Sequence, residues 1–342
     1  MAIYSSTGMV KAQIMVNQAF EQDKRFNTPE VWLLFMRSNP QFFDQYASLR
    51  IRDDKADEAN YFKRTSRALG SSKTHNHTGT VGDTGVITLD WGIYSDVFAK
   101  TLMQADGKII SAEDIMNNEL VNTFINFIEQ LEDESSSYLV DNRSGVNVAA
   151  INGTFDATND VYEISATNYL TSGIQITKAV MYANKYGKGM PMTIVCDPVA
   201  FVEFERQANQ GTGNSANTSF QFSNVRFIMD VGLTAKAAAI DVTYTKGFWI
   251  VVAEGTIGAA TFIEPKYKQG VSTTVNTYGS IQNPIDGLLY GVHSYETRAD
   301  GTSKGGTTQD VVTEVQIYQE VAFSKAPLSV AGETTIQAFT FV

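Results

Sequence analysis

The apolar residues between Ser111 and Val140 recur at steps of three and four, the longest such pattern in the chain. This spacing places them on one broad face of a helix. Ser111 and Asp114 fit a capping box that satisfies the free N–H groups of a first turn, and the polar Asn142–Gly145 stretch ends the pattern. The sequence therefore predicts a helix of about 28 residues and about 42 Å, long enough to act as a spine for the rest.

Other patterns predict a mixture of strands and further helices. Thr28 and Pro29 fit the cap and first turn of a short helix. Further helices are predicted over Thr167–Tyr186 and Pro198–Asn209, the second of them capped by Asp197. Short apolar runs predict strands over Gln221–Met229, Met192–Cys196, Phe248–Ala253, Gly258–Ile263 and Thr335–Phe341. Gly287–Tyr295 and Val311–Phe323 fit a long antiparallel pair, so the pattern as a whole favours an α+β fold.

The first hundred residues have a different character. Residues 1–58 form short apolar helical pieces that are too small to build a core, so they must lie on the chain's own body or on a neighbour. Residues 59–106 resemble a long two-stranded excursion with a Gly/Ser/Thr tip. Because an isolated hairpin is at best marginally stable in water, we expect this one to be ordered by another surface.

The charge of the chain limits the kinds of molecule that it is expected to bind. The 342-residue chain has a net charge of −11, although residues 1–75 hold 11 basic against 8 acidic residues. The overall charge argues against a dedicated nucleic-acid binder, whereas a basic front and an acidic body suit contacts between copies of the same chain. Cys196 is the only cysteine, which fits a reducing compartment. We see no signal peptide and no apolar run of membrane-spanning length.

Candidate catalytic and metal-binding residues are few. His75 and His77 lack a third ligand nearby, and His293 lies in an apolar strand that favours a structural histidine. Cys196 precedes a helix start that could lower its pKa, but a buried small residue is the better interpretation. Asp156–Asp160 lacks the ligand spacing of a calcium loop and fits a turn. We therefore expect no catalytic residue, no metal and no cofactor.

An acidic cluster of Glu129, Glu132, Asp133 and Glu134 occupies the last turns of the predicted spine, where the helix dipole disfavours negative charge. One interpretation is a solvated helix face. The other is an inter-subunit contact in which basic residues of another copy dock on the cluster. The residues of this predicted contact are Arg64, Arg67 and Lys73 on one copy, and Glu129, Glu132 and Asp133 on the other.

The order of these parts resembles that of the major capsid proteins of tailed bacteriophages, whose fold is shared with encapsulin shells. Ile194–Phe201 resembles the axial strand-to-helix segment that often carries Asp-Pro, and Trp249–Gly258 resembles the later axial strand. Val311–Pro327 resembles the closing peripheral strand and its return to the axial domain. In that family an arm and an extended loop reach across neighbouring subunits.

The resemblance implies a division of the whole chain. Its parts are an N-terminal arm over 1–58, an extended loop over 59–106, a peripheral domain with the spine over 107–165, an axial domain over 166–284, long peripheral strands over 285–325 and a return to the axial domain over 326–342.

The resemblance also implies a function. The protein would be a structural protein, not an enzyme, that self-assembles through pentamers and hexamers into an icosahedral shell around double-stranded DNA. Scaffold, portal and decoration proteins are further expected partners. The DNA would be held without sequence-specific contacts, in a virion capsid assembled in the host cytoplasm with no membrane. Alternatives are an encapsulin-like compartment, another virion part, and a soluble α/β enzyme using Cys196 or His293.

Overall fold

The structure, a computed structural model, describes residues 29–38, 55–63, 81–101, 112–149, 151–186, 191–210, 224–273, 276–298 and 311–342. The helices in these ranges are α1 (Glu30–Arg37), α2 (Ala112–Asp141), α3 (Ala166–Ala183), α4 (Pro198–Gln210), α5 (Leu233–Ile240) and α6 (Pro265–Gln269). The first strands are β1 (Glu58–Lys63), β2 (Asp83–Thr88), β3 (Trp91–Thr101), β4 (Thr154–Asp156), β5 (Val161–Ile164), β6 (Met192–Cys196) and β7 (Val225–Met229). The later strands are β8 (Phe248–Ala253), β9 (Ile257–Phe262), β10 (Asn276–Gln282), β11 (Leu289–Arg298), β12 (Val311–Lys325) and β13 (Ile336–Phe341).

Helix α2 confirms the predicted spine. It runs for 30 residues, about 45 Å at 1.5 Å per residue, and the Asn142 side chain caps its end by donating to the Tyr138 carbonyl over 2.9 Å. Its first half packs on one sheet through residues such as Phe124 and Phe127. Its second half packs on another sheet through residues such as Leu131. One helix therefore joins two sheets that share no strand.

The first of these sheets has the strand order β10-β11-β12-β3, and β9 also pairs with β12. The predicted long antiparallel pair is confirmed, since β11 and β12 pair from Gly291↔Tyr318 to Arg298↔Val311. Strand β3 adds to the other side of β12 over eleven residues. Residues 91–101, which the resemblance places in the extended loop, are therefore part of this sheet.

The second sheet has the order β4-β5-β13-β8-β6-β7 and mixes parallel with antiparallel pairs. Helices cover both faces: α1, α2 and α5 on one side, α3 and α4 on the other. Strands buried on both faces read as continuous apolar runs, as β8 does with every residue buried. Trp249, the second residue of β8, stacks on Phe339 at 5.7 Å between ring centroids. The α+β class is confirmed.

Candidate inter-subunit surfaces

Strands β1 and β2 form a two-stranded antiparallel ribbon, paired from Glu58↔Thr88 to Lys63↔Asp83. This confirms the predicted excursion at the level of its two strands. The predicted tip, including Arg64, Arg67 and Lys73, lies outside the described residues.

The base of the ribbon is fixed to the body by polar and apolar contacts. The Trp91 indole donates to the Ala56 carbonyl over 2.9 Å, and Lys55 forms an ion pair with Glu320 of β12 at 2.5 Å. Ala59 and Leu89 pack against Ala322 of β12. The ribbon therefore leaves the body from an anchored base.

Beyond its base the ribbon carries exposed apolar side chains. Phe62 is 76% exposed and Val86 is 53% exposed. Because Phe62 pairs with Thr84 and Val86 with Asn60, the two lie diagonally on one face. An exposed aromatic ring beside a valine, on a ribbon of only two strands, is typical of a surface that another molecule covers.

Strand β3 carries a second exposed apolar stripe. Ile93 and Val97 are 69% and 57% exposed, whereas Tyr94 and Phe98 pack towards the core beneath α2. The alternation follows from the two-residue period of a strand. Among the described strands, β3 is an edge strand of its sheet. The exposed stripe therefore lies at one edge of that sheet.

The acidic cluster at the end of the spine divides into three different environments. Glu129 is exposed. Asp133 is largely exposed and accepts a short ion-pair hydrogen bond from Lys236 of α5. Glu132 is only 3% exposed. Glu132 and Asp133 thus have partners in their own chain, and the inter-subunit role of the cluster stays a prediction.

Glu132 caps the first turn of α1. One carboxylate oxygen accepts from the Val31 N–H over 3.0 Å and the other from the Trp32 N–H over 2.7 Å. Helix first turns leave such N–H groups without intrahelical partners. Burial raises the pKa of Glu132 to about 7, against the lowering effect of the two N–H groups, and the charges of Asp230 and Glu30 add to the rise. The cap predicted at Thr28 lies outside the described residues.

Side chains on α1 complete its docking on the body. Trp32 and Phe35 are fully buried, and the Phe35 ring lies edge-on to Phe323 of β12 at 5.2 Å. The Trp32 indole donates to Asp286 over 3.2 Å, a carboxylate whose pKa is raised by burial. This described part of the predicted arm therefore packs on its own chain.

The two enzyme candidates have structural surroundings. The Cys196 thiol is fully buried and donates to the Ile228 carbonyl over 3.3 Å, and burial raises its pKa. His293 stacks on Tyr278 at 4.7 Å between ring centroids and shares a 2.9 Å hydrogen bond with Asn276. Burial, with the charge of Lys266 beside it, lowers the pKa of His293. Both match the structural interpretations, and they lie in different sheets.

The remaining candidates concern metals and membranes. Asp156 accepts the Thr158 N–H over 2.8 Å, which confirms the predicted turn. Within the described ranges no cluster of three or more histidine, cysteine or acidic side chains could hold a metal ion, and His75 and His77 lie outside those ranges. No helix in the part of the chain that the structure describes is both long and apolar enough to cross a membrane.

Comparison with known proteins identifies the fold. No protein-family model and no curated protein matches this sequence. The solved structure of the Cyanophage Pam1 capsid asymmetric unit is 12% identical, with 93% of each chain covered and a TM-score of 0.51. A Mycobacterium phage Che8 structure is 8% identical, covering 87% of this chain and 88% of that one at a TM-score of 0.49. The capsid of Ralstonia phage GP4 is 11% identical, covering 84% and 83% at a TM-score of 0.45.

The Pam1 similarity extends over nearly the whole of both chains. The chain therefore has the fold of tailed-phage capsid proteins, as the resemblance in the sequence implied. At such low identity the similarity defines the architecture and leaves the function to be argued from the surfaces.

Proposed function

We propose that this chain is a major capsid protein, a structural subunit that self-assembles into the icosahedral shell around the double-stranded DNA of a tailed bacteriophage. The observation that carries the proposal is the shared fold over 93% of this chain and of the Pam1 capsid chain. The anchored ribbon with its exposed Phe62 supports it, because a subunit that tiles a shell needs apolar surface for its neighbours.

The ribbon indicates how subunits would hold one another. Each copy extends a ribbon towards one neighbour and receives another, so the contacts are heterologous and close into rings of five and six. A subunit held by several such contacts is bound far more tightly than any single contact allows. The shell therefore does not need one large interface.

The same proposal covers partners and location. Scaffold, portal and decoration proteins would act with the shell, in a virion assembled in the host cytoplasm. With a net charge of −11, the chain would hold packaged DNA by confinement, without sequence-specific contacts. Cys196 and His293 have structural environments, which supports a role other than catalysis.

Electron microscopy of the purified full-length protein tests this function. We expect closed icosahedral particles built of pentamers and hexamers. A protein that stays monomeric over the whole concentration range in which phage shells assemble would contradict the proposal. Particles that form in the phage-infected host and contain DNA would separate a virion shell from an encapsulin-like compartment, which would contain a cargo protein.

Charge reversal at Glu129 tests the predicted contact at the acidic cluster. Glu129 is the cluster member to change, because Glu132 and Asp133 already bond within the chain. If Arg64, Arg67 or Lys73 of another copy docks there, Glu129→Lys should slow particle formation several-fold, most strongly at low salt. Light scattering during assembly measures this effect, and reversal of the partner residue should restore the rate. Assembly at the normal rate by Glu129→Lys would exclude the contact.

A further inference from the structure

We propose that α1 is a pH-dependent latch, docked on the spine while Glu132 is protonated and loosened when Glu132 ionises. The inference concerns the single chain and goes beyond shell formation. Its basis is the placement of one buried carboxyl group between the spine and the first turn of α1.

Glu132 is a polar anchor of α1. Its two oxygens accept the N–H groups of Val31 and Trp32, so any change at this carboxyl acts on the helix directly. A further bond from α1 to the body runs from the Trp32 indole to Asp286. The remaining contacts of α1 with the body include those of buried apolar side chains, which respond little to pH.

The surroundings of Glu132 favour its neutral form. Glu30 on α1 and Asp230 at the end of β7 both bring negative charge towards it. The lysine of α5, Lys236, is paired with Asp133. Within the described ranges no lysine or arginine forms an ion pair with Glu132. A buried carboxylate without a cation is costly, and the two N–H groups offset only part of that cost.

The direction of the pH effect follows from linkage. In the folded chain, burial raises the pKa of Glu132 from 4.5 to about 7. Since α1 covers this carboxyl and bonds to both of its oxygens, the docked helix should bind the proton more tightly than the undocked one. The stabilisation is fully present below pH 4.5 and is lost as the pH rises through about 7. The latch is therefore tight in acid and weaker at neutral pH. This direction is opposite to that of an ordinary ionised cap, which would hold its helix more tightly as the pH rises.

Opening of the latch would have a structural consequence. It would expose Trp32 and Phe35 together with the groove that they fill against Phe323. The freed helix would then be available for a neighbouring copy, a step that rests on the proposed function.

Hydrogen exchange of the full-length protein tests the latch. Protection of the peptide over 30–37, corrected for the intrinsic pH dependence of exchange, should fall at least tenfold between pH 5 and pH 7.5. The buried strand β8 serves as an internal reference and should show no such fall. In Glu132→Gln the protection of 30–37 should be independent of pH, whatever its absolute level, whereas the exposed-site control Glu129→Gln should behave like the wild type.

Asp286 is the rival titrating group, because it also bonds to α1 and its pKa is also raised. The variant Asp286→Asn separates the two carboxyl groups, and it does so even if Glu132→Gln does not fold. Retention of the pH-dependent fall in Asp286→Asn supports Glu132 as the titrating group. Loss of that fall in Asp286→Asn, no fall in the wild type, or protection that rises with pH would each overturn the proposal. The exchange is read from the unassembled subunit, so these outcomes are separate from the test of particle formation.

Discussion

Phe62→Asp is expected to abolish particle formation while leaving the subunit folded. Phe62 is 76% exposed in the single chain, so its replacement removes little that the subunit needs. In a shell, burial of the ring would contribute about 2 kcal/mol per contact, and a carboxylate placed in the same site would have to be desolvated. A loss of about 3 kcal/mol weakens each contact on the order of a hundredfold, and the loss recurs in every subunit.

Electron microscopy and sedimentation measure the effect of Phe62→Asp on particles, and circular dichroism checks the fold. The matched control is Asn60→Asp, which adds the same charge to the same face of the same strand. Normal particles from Phe62→Asp would mean that this face of the ribbon is not an inter-subunit surface. Loss of particles in both variants would assign the effect to charge and not to the aromatic ring.

The sequence predicts the parts of the fold that have a strong local pattern. The spine is long and periodic, and its predicted start and end agree with Ala112–Asp141 to within three residues. Strands such as β6 and β8 are continuous apolar runs because both of their faces are buried. In each case the residues that define the element are also the residues that form the core.

Elements without such a pattern are not predicted. Strand β10, with the sequence NTYGSIQ, is mostly half-buried or exposed, and its order comes from pairing with β11. Helix α5, with the sequence LTAKAAAI, buries only Leu233 and Ala237. Both elements are short, and both are formed mainly because the rest of the fold provides a neighbour. Tertiary context of this kind overrides local propensity.

In the candidate surfaces, too, features with a local sequence pattern could be predicted, and features that depend on distant residues could not. The pattern of residues 59–106, with its Gly/Ser/Thr tip, predicts a two-stranded excursion, and the structure confirms its two strands. The role of Glu132 could not be predicted, because its partners Val31 and Trp32 are about a hundred residues away in sequence. A glutamate on a helix predicts a solvated charge, and only the folded chain brings a second helix's first turn onto it. The helical period of the spine places Glu132 on its buried face. This is the one local signal in the sequence that could have distinguished Glu132 from Glu129.

The spine also explains how one chain can contain both a packed body and a ribbon that extends from it. Its first half holds the sheet that includes β3 and β12, and its second half holds the sheet around β8. The ribbon leaves the first sheet at β3, while α1 lies against the second half of the spine and also contacts β9 and β12. Arm and ribbon are therefore attached to the same body at different places.

Trp32→Ala is expected to be the most destabilising single change on α1. Trp32 is fully buried, and truncation of a buried aromatic residue to alanine costs about 3–5 kcal/mol. The change also removes the indole donor of Asp286, which keeps the Tyr290 hydroxyl at 2.7 Å but becomes less well satisfied in a buried site. Urea unfolding at pH 5, where the proposed latch is docked, followed by circular dichroism measures the loss of stability.

Phe62→Ala is the matched control, because it truncates an aromatic ring of similar size that the single chain leaves exposed. Its effect on the free energy of unfolding should lie within about 0.5 kcal/mol. A cost below about 1 kcal/mol for Trp32→Ala would contradict the docking of α1 as part of the cooperative core. Equal costs for the two variants would contradict the assignment of Trp32 to the body and of Phe62 to a neighbour. If α1 belongs to the body and the ribbon contacts a neighbouring subunit, the two assays should give opposite outcomes. Changes at Trp32 should lower stability, and changes at Phe62 should prevent assembly.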